Sequence, residues 1–214
     1  MFEIEETGGA NIGSARATWP FVKLLVNKNE LQLNASILGN LYFKPSDIIS
    51  IEPSTLLSGA GIKINHRVNG YNEKVIFLTS GSRDLIKRIE NTGFLNNPDP
   101  IPAEVEARII NYQSSGSFPM KWPAAIAFIV IWNILFLGDM LGYFGKTDNR
   151  IPIGIGAQSA LAFAFLFALA TLLLEPFSRL VLKQGRKVGD IKSFLLFLML
   201  ITGVMFTMIS IIPH

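Results

Sequence analysis

The side chains with the most chemistry to offer are few and scattered. The chain has two histidines and no cysteine. Disulfides, thiolate catalysis and cysteine-based zinc or iron–sulfur sites are therefore excluded. His66 could act as a general base or metal ligand, but no second His or Cys accompanies it in the N-terminal half, and zinc takes several such ligands. The plainer reading is a strand histidine packed beside Ile64 and Val68. Gly59-Ala60-Gly61 lacks the Lys-Ser/Thr and the helix of a phosphate loop. No HExxH, GxSxG or paired-carboxylate constellation occurs. These observations lead us to expect no catalysis, no cofactor and no metal.

Charged groups remain. Lys63, Arg67 and Lys74 lie on or near the Asn69-Gly70 turn. They form a candidate surface for an anionic lipid head group or a protein partner, against the plainer reading of a solvated strand face. Arg179, Lys183, Arg186, Lys187 and Lys192 form a basic loop. Such a loop sets membrane topology and can hold anionic head groups, at ~1 kcal/mol per cation near the surface. Asp139 falls late in an apolar stretch, where a carboxylate is either functional or interfacial. Its place near the end of the stretch favours the interfacial role.

The elements that must position these groups divide the chain in two. Three apolar stretches run about 122–144, 153–174 and 193–212, with none before them. Each is close to the ~20 residues that cross a ~30 Å hydrocarbon layer as a helix. Residues 1–110 carry eleven Lys/Arg against twelve Asp/Glu, and residues 111–214 eight against four, so the formal +3 belongs to the apolar half. The near-neutral N-terminal half argues against nucleic acid as a partner. The acidic N-terminus has no apolar core of a cleavable signal peptide, so the first span would serve as targeting signal. Arg108 and Lys121 precede the first span, and the loop after it holds only Lys146 and Arg150. The positive-inside rule then places residues 1–121 in the cytoplasm and His214 outside a plasma (inner) membrane.

Small residues recur inside the spans. Gly138-x-x-x-Gly142 and the series Ala160, Ala164, Ala168 permit close helix approach. We read both as packing surfaces between spans or subunits. Gln158, Ser159, Thr171, Thr202 and Thr207 are too few and too mild for a proton relay.

The N-terminal half reads as short strands. Residues 1–18, rich in Gly, Thr and Ala, suggest a flexible arm with at most a short strand at Phe2–Glu5. Strand candidates follow at Phe21–Val26, Glu30–Leu38, Leu41–Lys44 and Ile48–Glu52. Ile62, Ile64, His66 and Val68 alternate with Lys63, Asn65 and Arg67 ahead of Asn69-Gly70, which predicts a type I′ hairpin into Tyr71–Leu78. Ser82 is placed to cap a helix over Arg83–Thr92, with Asp84 in its first turn and Leu85, Ile86 and Ile89 as its stripe. Gly93 can end that helix left-handed, letting Phe94 pack back.

Trp19-Pro20-Phe21-Val22, Ile51-Glu52-Pro53, the Ile62–Arg67 run, Val75-Ile76-Phe77 and the helix ending at Gly93 together resemble bacterial pleckstrin-homology-like (PH-like) modules, which are commonly fused to a few transmembrane helices. The resemblance covers about 19–94. It implies a binding or scaffolding module without catalysis, and it transfers no ligand residues. The PH-like pattern has seven strands before its helix. Six are read here, so either the arm supplies another or the match is incomplete. Residues 95–121 read as a connector, with a short helix over Ala103–Tyr112 starting after Pro102 and a flexible hinge at 113–117.

The expected fold class is thus α+β for the soluble domain, a small antiparallel β-barrel or sandwich closed by a C-terminal helix. An all-α membrane domain of three transmembrane helices follows at 122–214. The expected role is a membrane-anchored scaffold or recruitment module, with membrane lipids and a protein partner or second copy as its partners. An anionic-lipid sensor and a small transporter or channel subunit are the alternatives.

Overall fold

The computed structural model describes residues 1–56, 59–142 and 154–211. These fall into two compact units, Met1–Pro119 and Met120–His214.

The first unit is a curled half-barrel: one antiparallel seven-stranded sheet plus two helices. Its strands are β1 (Ile4–Ile12), β2 (Ala15–Val26), β3 (Leu31–Asn34), β4 (Asn40–Phe43), β5 (Ile48–Leu56), β6 (Gly59–His66) and β7 (Val75–Leu78). They lie in the order β4-β3-β2-β1-β7-β6-β5. The stretch expected to be a flexible arm is instead the centre of the sheet. β1 pairs with β2 along one side and with β7 along the other. Its glycines mark close approach rather than looseness. A Cβ on Gly8 would stand 2.4 Å from the Leu78 carbonyl oxygen and 2.6 Å from the Phe77 ring, so only glycine lets the backbone pass there. Gly13, at φ +62°, opens the two-residue turn into β2.

β2 is not regular. Its register with β1 steps from Gly8↔Val22 to Ala10↔Ala17, leaving Thr18–Phe21 bulged. Proline belongs in such an unpaired stretch because it has no N–H for the ladder. Trp19, in the same bulge, is exposed.

Inward-facing residues of neighbouring strands build the core. Val22, Leu24, Leu33, Phe43, Ile62, Ile64 and Phe77 are all buried in one cluster. The next helix, α1 (Ser82–Asn91), lies against β5 and β6 and buries Leu85 and Ile89. Its N-cap is Gly81 without a side-chain cap bond, so Ser82 is the first helical residue rather than the cap. Gly93 takes φ +74° and Phe94 is fully buried, as the sequence predicts.

The expected two-residue hairpin at Asn69-Gly70 does not form. β6 and β7 do pair antiparallel, but the ladder covers only Gly61↔Leu78 to Lys63↔Ile76. The longer connection turns inward because Tyr71 is buried. Its ring meets Phe43 edge-on at 5.6 Å, and its hydroxyl accepts the Tyr42 N–H at 3.3 Å. Burying that ring outweighs the turn preference of Asn-Gly.

The connector is also more than a connector. α2 (Ala103–Ser114) packs on the edge strand β4. Tyr112 stacks on Tyr42 with ring centroids 4.0 Å apart, and Ile109 is buried beside them. Arg108 donates to both Glu30 carboxylate oxygens at 2.7 and 2.8 Å. Gln113 donates to the Tyr42 carbonyl at 2.9 Å and to Asp47 Oδ2 at 2.8 Å. The expected hinge at 113–117 is tied down, since the Asn40 N–H donates to the Ser117 carbonyl at 3.0 Å. Both outer strands of the sheet therefore have a helix against them, which limits the hazard of an open edge.

The second unit is helical: α3 (Trp122–Met140), α4 (Ile155–Leu173), α5 (Glu175–Val181) and α6 (Lys192–Ile211). α4 packs against both α3 and α6. Two helices, α4 and α6, are long and apolar enough to cross a membrane, and the apolar stretch Trp122–Gly138 of α3 is shorter. Glu175-Pro176 ends the second apolar stretch and begins α5, because proline starts a helix but cannot continue one.

Candidate functional site

The site is built where three helices of the second unit change direction. Lys121 stands just ahead of α3, α5 follows α4, and residues 183–190 lead into α6. The Lys121 N–H donates to the Val181 carbonyl at 2.8 Å, and its Nζ donates to the Arg179 carbonyl at 2.7 Å. Met120 bridges Leu182 in a short antiparallel pairing. Gly185, at φ +83°, turns the chain back toward α6.

The result is a cavity of about 730 Å³ lined by five cations, Lys121, Arg179, Lys183, Arg186 and Lys187, and one carboxylate, Glu175. Glu175 is committed to Arg179, whose Nη2 donates to it at 2.6 Å. Arg186 is buried and Lys183 partly so. The Lys183 amine is pushed below the usual lysine range, first by burial and then by the Arg186 charge. The neighbouring Asp190 carboxyl is pushed up by burial, against the Lys187 N–H it accepts at 3.0 Å and the charges of Arg186 and Lys187. Cations outnumber carboxylates, so the cavity is electropositive.

An apolar groove of about 460 Å³ adjoins it, and Lys121 lines both. α5 divides the two. Glu175, Ser178, Arg179 and then Leu182 face the basic cavity, while Phe177, Leu180 and Val181 face the groove. The opposite wall carries Phe128, Phe163 and Phe167, with Phe128 and Phe167 ring centroids 4.8 Å apart and Phe167 meeting Phe177 edge-on at 5.4 Å.

Four of the five cations of the basic loop thus converge, while Lys192 is exposed at the start of α6. Sequence reasoning missed Lys121 as a member, using it only for orientation; its place directly before the first apolar stretch was the available signal. It also missed α5, whose amphipathic turn is hidden inside a loop-like composition.

The other candidates lie elsewhere. Lys63 is on β6 opposite Glu52, while Arg67 and Lys74 are exposed on the connection to β7. His66 is structural: its Nδ1 accepts the Val68 N–H at 3.2 Å, so Nε2 carries the proton it donates to the Asn72 carbonyl at 2.9 Å. Ala160, Ala164 and Ala168 are buried, with Thr171 continuing the stripe. Gly138 is buried on α3, but Gly142 lies beyond the helix end at φ +74° with open space around it. Gly138-x-x-x-Gly142 is therefore not one helical packing face. The side chain of Asp139, with Lys146, Arg150 and His214, lies outside the described residues. Among the described residues no cluster of three or more His, Cys, Asp or Glu could hold a metal ion.

No protein-family model matches the chain, and no curated protein or solved structure matches it.

Proposed function

We propose that this chain is a non-catalytic, three-span membrane protein. Its PH-like domain is held at the cytoplasmic face and recruits a protein partner or a further copy. The sheet order with seven strands ahead of a closing helix supports the PH-like reading. The apolar outer faces of α3 and α6 support the anchor: Ile126, Ile134, Leu200 and Met208 are exposed, as lipid contact requires. Convergence of Lys121 and the loop cations on one cavity supports the orientation, because all would then lie on the cytoplasmic side. Recruitment would act by raising local concentration at the membrane.

The observation that carries recruitment is Trp19. It is 71% exposed on the bulge of β2. Bulges re-aim side chains, and tryptophan is among the residue types enriched at interface hot spots. The test has two parts on the full-length protein. Alkaline carbonate should leave it in the membrane fraction; release would overturn the anchor. A photo-crosslinking residue at position 19 should yield a discrete heavier adduct in cells, and one at position 63 should not. Equal labelling from both positions, or none from 19, would overturn recruitment through this surface.

A further inference from the structure

We propose that the basic cavity and the adjoining apolar groove form one binding site for an anionic glycerophospholipid, the phosphate head group among the cations and an acyl chain along the groove. The inference rests on the membrane-anchored reading, and it concerns a different surface from Trp19.

Three observations converge on that ligand. The first is charge: Lys183, Arg186 and Lys187 face the cavity together with Lys121, and its one lining carboxylate is already held by Arg179. A phosphate needs several donors and positive charge at once. The second is the partition of polarity. α5 presents its charged side to the cavity and Phe177, Leu180 and Val181 to the groove. A free phosphate has no use for an apolar groove lined by four phenylalanines. A lipid uses both, with Lys121 at the boundary. The third is depth. The cavity sits where α3 begins, α4 ends and α6 begins. With α4 and α6 spanning the hydrocarbon, that end lies at head-group level, where anionic lipids concentrate. The cavity's volume, about 730 Å³, is within the range of small-ligand sites. Lys183 gives further support, since an anion would relieve the repulsion from Arg186 that helps push its amine down.

The experiment uses full-length protein in maltoside micelles, with lipid adducts counted by native mass spectrometry. Short-chain phosphatidylglycerol is titrated alongside phosphatidylcholine with the same tails and alongside glycerol phosphate. Phosphatidylglycerol should bind saturably, and the other two at least tenfold more weakly. Lys183→Gln/Lys187→Gln should weaken phosphatidylglycerol binding about thirtyfold, on ~1 kcal/mol per cation. Arg179→Gln, at an exposed side chain, should weaken it severalfold. Lys63→Gln/Lys74→Gln removes the same charge from the other unit and should leave binding unchanged. Phosphatidylcholine binding equal to phosphatidylglycerol would overturn the charge recognition. Glycerol phosphate binding as tightly as the lipid would overturn the acyl groove. Equal loss in the control pair would overturn the location. Any of these, in protein that still resists carbonate extraction, would sink the lipid site while leaving the anchor intact.

Discussion

The two units place large and small apolar residues in opposite ways. In the sheet domain Phe43, Phe77 and Phe94 are wholly buried and lysines and glutamates cover the outside. In the helical unit alanines are inside: Ala160, Ala164 and Ala168 are at most 1% exposed, while Ile134, Leu200 and Met208 are each 64% exposed. Water drives bulk inward, because apolar area gains by leaving it. Hydrocarbon supplies no such drive, so helices associate through small residues that allow close packing. The same chain thus carries two solutions to burial, large side chains inside one unit and small ones inside the other.

The largest effect should come from crowding the centre of the sheet. Gly8→Val puts side-chain atoms into the Leu78 carbonyl and the Phe77 ring and should cost more than about 4 kcal/mol. Hydrogen exchange on the full-length protein should then show β1–β7 unprotected and α4 and α6 still protected. Joint loss of both would break the division into two units. Next comes Arg108→Ala, which leaves the buried Glu30 carboxylate without its bidentate partner. It should cost about 2–3 kcal/mol, read as faster exchange in β3, β4 and α2; an effect confined to α2 would mean that the helix docks without holding the strand edge. Ala164→Phe in the helical unit should cost about 1–3 kcal/mol by overpacking, whereas Leu200→Phe on the outer face should be near neutral in micelles. Equal effects would erase the inside-out contrast. The smallest effect is electrostatic. Because the folded-state value of Lys183 lies below the ordinary one, the unfolded chain binds more protons between the two values. Stability of the helical unit should therefore rise with pH through that alkaline window, and Lys183→Gln should flatten the slope in a thermal melt.

How much of this could be read in the sequence follows from how local each signal is. The α1 stripe of Leu85 and Ile89 and the left-handed Gly93 depend on neighbours in sequence, and they were legible. The apolar stretches 155–173 and 192–211 were legible from composition. β1 was not, because Gly8 and Gly9 look like flexibility until Phe77 and Leu78, far along the chain, are laid beside them. Asn69-Gly70 misled for the converse reason: a good local turn gave way to the burial of Tyr71 against Phe43. α2 reads as a marginal helix alone, and its anchor residues Tyr112, Arg108 and Gln113 acquire meaning only beside Tyr42, Glu30 and Asp47. At the candidate site the loop cations were legible one by one. Their meeting with Lys121 was not, since it depends on the Met120↔Leu182 bridge between distant segments.

The central place of β1 also sets a timetable. The chain is made from its N-terminus, and domains tend to fold as they emerge. β2, β3 and β4 can fold back on β1 in turn as a growing meander, each beside the strand made just before it. The other side of β1, Gly9 to Ile12, has to wait for Val75–Leu78. Until then the nascent domain shows the ribosome's surroundings an open edge next to an unfilled half of its core. Once β7 closes it, α1 and α2 are made next, and the apolar helices follow them. This molecule's most aggregation-exposed interval therefore lasts until β7 has been made, which makes β7 the strand whose delay would cost most.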